Sequence, residues 1–245
     1  MQLMTSSTPA SRMAGICRIA AETAADVDAK ARFPTEVFAA LKSARLMGLL
    51  VPGELGGDGA GLGEAAELCR LLSQQCGSSG MILSMHYIKL HNLVSGGKSS
   101  PWHRDLMRRV VDEQLLLASA TTEVGVGGDL RSSICAVERD GDDFTLVKQA
   151  PVISYALAAD AILATARRAP GQPASDQVMV VLMKDQYRLE PTHGWNTLGM
   201  RGTCSEGFVL EGRAPACQIF PEPFADLAAQ SMLASAHILW SSVWF

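Results

Sequence analysis

The spacing of apolar residues changes period near Leu115, and this change constrains the possible folds more than any other feature of the sequence. Before it, apolar side chains recur at helical intervals. Alanine-rich turns run through Ile19, Ala20, Ala24 and Val27, and Phe33-Pro34-Thr35-Glu36 then opens a second helix. In that helix Val37, Leu41 and Ala44 form a stripe that Phe38 widens. Pro34 suits the first helical position, where a missing N–H leaves nothing unpaired. The stretch VPGELGGDGAGL, Val51 to Leu62, is too glycine-dense to be anything but loop. A third helix is expected from Gly63 to about Cys76, a buried fourth from Ser79 to Leu93, and a charged fifth from Pro101 to Glu113.

Beyond Leu115 the pattern is strand-like. LLLASATTE, ICAVERDGDDFTLV, APVISY, AILATARR, QVMVVLMK, YRLEPT and GFVLEG are short runs divided by turn residues. Alternation is clearest over Phe144 to Val147, just after the hairpin signal Asp140-Gly141-Asp142. Helices first and strands second imply an α+β fold with its helices segregated, not an alternating βαβ sheet. From Ala225 a helical apolar pattern returns and runs to Trp244 and Phe245. A helix ending on two large aromatics exposes apolar surface, so the natural protein is expected to continue. The expected division is a flexible tail over 1–13, an all-helical domain over 14–115, a mainly antiparallel β-domain over 116–220, and the start of a truncated C-terminal helical domain over 221–245.

Composition removes several classes of function. A net charge of -4 without a basic stripe argues against nucleic acid, and Arg104 to Arg109 reads as a solvated helix face. The six cysteines form no Cys-x-x-Cys pair and have no histidine at zinc-like spacing. They read as reduced thiols in a cytoplasmic protein, with no metal site. No apolar run approaches the roughly 20 residues of a membrane span, and the N-terminus lacks the apolar core of a signal peptide.

Three segments carry a more specific signal. FPTEVFAALKSARLMGLLVPGELGGDGAGL begins at Phe33, TTEVGVGGD spans Thr121 to Asp129, and LGMRGTCSEGFVLEG spans Leu198 to Gly212. In this order and spacing they resemble the acyl-CoA dehydrogenase family, over about residues 14–245. The middle segment is similar to the family's flavin loop, Thr-Glu-Pro-x-x-Gly-Ser-Asp. Its chemistry agrees, because Gly125, Gly127 and Gly128 can turn backbone N–H groups toward an anion such as a diphosphate. Thr121 and Thr122 add hydroxyls suited to a flavin's pyrimidine edge. The loop does not open a helix after a strand, which argues against a Rossmann site.

The resemblance implies FAD as cofactor. It places Thr122 at the flavin ring with Ser119 as a further ring contact, and Gly127 and Gly128 where the family's Gly-Ser meets the diphosphate. The family's Trp-Ile-Thr-Asn-Gly aligns with Val152 to Ala156, so Ser154 inherits the hydroxyl that bonds flavin N5. Val124, Gly128 and Val152 stand where the family has Pro, Ser and a ring-covering Trp.

The implied reaction is α,β-dehydrogenation of an acyl-CoA thioester in fatty acid metabolism. The family draws its base from a C-terminal helix beyond Phe245, so no residue here is assigned a catalytic role, and the fragment alone is expected to be inactive. An electron acceptor such as electron-transfer flavoprotein and a homodimeric or homotetrameric assembly are implied as well. Two rivals are a flavin-dependent monooxygenase on the same scaffold and a non-catalytic assembly subunit. His86 and His91, five apart, read as core or rim residues. Met81 and Met85 read as packing, with a substrate wall as the lesser alternative. Glu64 and Glu67 read as a solvated face, and Cys204 as no nucleophile.

Overall fold

A computed structural model describes residues 8–245. Its first helix, α1 (Pro9–Lys30), starts earlier than the expected tail allows, because the Thr8 side chain accepts the Ser11 N–H and Pro9 occupies the first turn. The rest of that tail, residues 1–7, lies outside the described residues. Ala31 ends α1 in the left-handed region, at φ 49°. In α2 (Thr35–Ser43), Pro34 stands just before the first helical residue, not within the helix.

Helix α3 (Leu62–Ser73) starts where the Glu64 carboxylate reaches back to accept the Gly61 N–H at 3.1 Å. Glu64 is thus a capping residue as well as part of a solvated face. Helix α4 (Gly77–Gly96) is buried on most sides and packs against α3, while α5 (Pro101–Glu113) has the expected bounds.

The strands form two sheets. One contains β1 (Leu117–Ala120), β4 (Ala161–Arg167) and β5 (Gln177–Met183) in the order β1-β4-β5. The other contains β2 (Glu138–Asp140), β3 (Asp143–Ile153), β6 (Tyr187–His193) and β7 (Glu206–Pro215) in the order β2-β3-β7-β6. Every pairing is antiparallel except β1 with β4. Strand β5 is buried throughout, and its Leu182 occupies the space above Gly212 of β7, so the two sheets face one another. Two runs that read as separate, FTLV and APVI, form one strand. Pro151 falls where the β3–β7 register shifts between Ala150 and Ile153, a position that tolerates a missing N–H.

The chain ends in α6 (Phe224–Leu227), a π-helical turn over Ala228–Met232, and α7 (Leu233–Val243), which packs against α3 and α4. Leu239 is buried, while Trp240, Trp244 and Phe245 are exposed. Among the described residues no helix is long and apolar enough to cross a membrane.

The turn Arg201–Thr203 inserts beneath α1 and α4, where the Gly202 N–H donates to Ser78 Oγ at 3.2 Å. A Cβ on Gly202 would collide with Val27 and crowd Ser78. Gly202→Ala is therefore expected to destabilise by about 1–3 kcal/mol through overpacking. Urea denaturation checks this, and an unchanged midpoint would mean that α1 can give way.

Candidate functional site

A cavity of about 420 Å³ opens between the edge of the β-sheets and the helices α4 and α7. Its sheet side carries Ser119, Thr121, Thr122, Val152 and Ser154, and its helical side carries Met85, Ile88, Lys89, Met232 and Trp240. Strand β1 delivers Ser119, and the extended chain after it delivers the two threonines. The end of β3, past its register shift, delivers Val152 and Ser154. One bond ties these segments together, with Thr122 Oγ1 donating to the Val152 carbonyl at 3.0 Å.

Ser154 heads a chain of hydroxyls. Its Oγ lies 2.8 Å from Ser205 Oγ, which lies 2.7 Å from Thr203 Oγ1, and the Met200 carbonyl accepts from Thr203 at 2.8 Å. Hydroxyls rotate, so reversing the chain lets Ser154 present either a proton or a lone pair to the cavity.

Gly127 and Gly128 do not line this cavity. They lie on the exposed loop beyond Glu123, with φ of 59° and 83°, and Gly125 has φ 93°. The N–H groups of these three glycines have no acceptor among the described residues, unlike the neighbouring Val124 and Asp129 N–H groups. Free N–H groups on a glycine loop are what an anion such as a diphosphate requires.

Beneath the loop lies a buried charge pair that the sequence reading missed. Glu123 accepts from Ser133 Oγ at 2.7 Å, the Ile134 N–H at 3.0 Å, the Cys135 N–H at 2.5 Å and Lys148 Nζ at 3.1 Å. Burial pushes the Glu123 carboxyl up, but the Lys148 ammonium and these donors outweigh it and hold the group below its ordinary value. A signal was present, since Lys148 falls on the same inward face of β3 as Phe144, Leu146 and Ala150.

His86 is a core residue, as expected. It is fully buried, and burial pushes its pKa down to about 4. Met85 lines the cavity, whereas Cys204 faces carbonyls and its thiol is raised by burial. Among the described residues no group of acidic, histidine and cysteine side chains could hold a metal.

Helices packed on a two-sheet β-domain, with a cleft between them, form an architecture that recurs in solved structures. The dibenzothiophene monooxygenase TdsC from Paenibacillus sp. A11-2, solved with FMN bound, superposes with a TM-score of 0.83 at 17% identity, covering 95% of this chain and 60% of that one. Butyryl-CoA dehydrogenase from Megasphaera elsdenii superposes at 0.79 and 17% identity, covering 95% and 64%. At these identities both show the fold.

Sequence narrows the choice. Residues 16–100 match the family model of the acyl-CoA dehydrogenase N-terminal domain. Cyclohex-1-ene-1-carbonyl-CoA dehydrogenase from Geobacter metallireducens is 26% identical over 78% of this chain and 50% of its own length. Over residues 16–100 the chain matches the acyl-CoA dehydrogenase N-terminal domain, and it spans about half the length of this curated relative.

Proposed function

We propose that this chain forms the N-terminal and β-domain side of an FAD site in an enzyme that dehydrogenates acyl-CoA thioesters. The observation that carries the reading is the convergence of Ser119, Thr121, Thr122 and Ser154 on one cavity from separate segments. The free N–H groups of Gly127 and Gly128 nearby suit a diphosphate. Residues and cofactor fit. When bound, the flavin supplies an acceptor for the hydride lost from the acyl β-carbon.

The chain's own part is to bind and orient. Thr122 offers a hydroxyl proton to a ring oxygen, at the expense of its bond to Val152. Ser154 serves the ring nitrogen in either polarity, because its hydroxyl chain can reverse. Met85, Ile88 and Met232 exclude water from the opposite wall. No Asp or Glu lines the cavity among the described residues, and none of them is assigned as the base for the α-proton. A homo-oligomer and an electron acceptor such as electron-transfer flavoprotein belong to the same reading.

Val152 favours a second reading. It stands where the family has an aromatic ring cover, which leaves room for a monooxygenase that uses reduced flavin. The spectrum of the protein as encoded by its gene separates the two: a dehydrogenase purifies yellow, while a monooxygenase of this kind purifies colourless.

Thr122→Val and Ser154→Ala in the full-length protein are each expected to weaken FAD binding or slow flavin reduction about tenfold, because a hydrogen bond to the flavin, desolvated once the ring is bound and worth about 1–3 kcal/mol, is lost. Glu67→Gln, on the exposed face of α3, should do neither. Variants with wild-type flavin content and wild-type single-turnover reduction by acyl-CoA would place the flavin elsewhere.

A further inference from the structure

Lys89 lies in the helical wall of the cavity and is 4% exposed. A buried ammonium is strongly unfavourable unless a counter-charge or good acceptors receive its protons. The fold provides these elsewhere. Lys148, also buried, has the Glu123 carboxylate at 3.1 Å and the Thr165 carbonyl at 2.9 Å. Lys89 has neither, and its polar neighbour is the Met232 thioether at 3.8 Å, a weak acceptor. Among the described residues it forms no ion pair.

The surrounding elements do not compensate. On α4 its cavity neighbours are Met85 and Ile88, and α7 contributes Leu233, Ala236 and His237. His237 is the other titratable group in the wall and carries no negative charge in either state. Burial accordingly pushes the Lys89 pKa down to about 7, with no charged neighbour opposing it. A lysine held in this way loses stability in the ligand-free protein and gains it when an anion arrives.

We propose that the substrate carries a second anionic group, a carboxylate on its acyl portion, which Lys89 Nζ receives inside the cavity. The inference rests on the reading that the helical wall faces substrate, opposite the edge carrying Ser119, Thr122 and Ser154. It narrows the substrate class to thioesters of dicarboxylic acids. A charge-assisted bond formed in a desolvated wall discriminates strongly against a neutral acyl chain of equal length.

The lysine can be followed directly by NMR of protein labelled at the lysine ε-carbon, with Lys89→Met to assign the signal. Valerate and valeramide, equal in size and differing in charge, are the probes. Valerate is expected to bind at least tenfold more tightly than valeramide and to raise the proton affinity of Lys89 at least tenfold. Lys89→Met should erase the preference and raise the Tm of the ligand-free protein. Equal binding of the two probes, or an unmoved Lys89 titration, would overturn the proposal. So would a titration moved by FAD and not by valerate, which would assign the cation to the cofactor.

A second arm uses the flavin-loaded protein with hemiglutaryl-CoA and pentanoyl-CoA. If valerate behaves as expected but neither thioester perturbs the flavin spectrum, the dehydrogenase reading falls and the Lys89 assignment stands. If both thioesters bind equally, and Lys89→Met changes neither, the assignment falls and the dehydrogenase reading stands.

Discussion

Lys148→Met is expected to remove about 3–5 kcal/mol of folding stability, because it strands a buried carboxylate. Glu123 keeps three donors in the variant, from Ser133, Ile134 and Cys135, but loses its counter-charge. Lys148 itself is fully buried between the sheets, where water cannot replace it. Glu123→Gln/Lys148→Met should recover much of the loss, since it removes both charges and leaves a side chain that still accepts hydrogen bonds. The pair also has a pH signature. Glu123 is held below its ordinary value in the folded state, so its stabilisation is present at neutral pH and is lost as pH falls through the folded value. The gap between wild type and Lys148→Met should therefore narrow in acid. Urea denaturation of the single and double variants checks this, and a double variant as damaged as the sum of the singles would refute the coupling. Because Glu123 clamps residues 133–135 beneath the glycine loop, a flavin-binding defect in Lys148→Met is expected alongside the loss of stability.

His86→Leu is the second large effect, expected to cost about 2–5 kcal/mol, because two buried backbone groups lose their partner at about 1–3 kcal/mol each. His86 Nε2 lies 2.8 Å from the Met47 carbonyl, and its Nδ1 accepts the Leu117 N–H at 3.1 Å. One acceptor and one donor are met by a neutral ring with its proton on Nε2. The residue joins α4 to the chain following α2 and to the first residue of β1, so it fastens the helices to the sheet. His86→Gln, with one donor and one acceptor on a single amide, should cost less than leucine. Burial holds the folded pKa near 4, against an ordinary 6.5. The unfolded chain therefore takes up a proton first, and stability falls as pH drops from 6.5 through 4, by about 3 kcal/mol from this group. His103, also held near 4 by burial, adds a parallel slope that the variant keeps. Thermal melts across this pH range should show a shallower acid slope in His86→Leu, and identical slopes would sink the assignment.

Of the residues expected at the flavin, the structure brings Ser119, Thr121, Thr122 and Ser154 to one cavity and leaves Gly127 and Gly128 outside it. What partners each of the two lysines was not legible in the sequence. Lys89 and Lys148 look alike as residues, and nothing local distinguishes a buried lysine with a counter-ion from one without. That difference depends on Glu123, which is 25 residues from Lys148 in the chain, and on the Met232 thioether, 143 residues from Lys89.

The sequence by itself determined the change from helices to strands near Leu115, the glycine loop after Val51, the hairpin at Gly141 and the bounds of α5. Each depends on residues within a few positions of one another, through apolar period, backbone freedom at glycine and capping. Tertiary structure alone decided that two runs merge into β3 across Pro151, that β1 pairs in parallel with β4, and that His86 faces a carbonyl and an N–H from two other segments. Those outcomes follow from which groups lose water together. Desolvation is set by the packed neighbours of a group in space, and a linear pattern of side chains does not specify them.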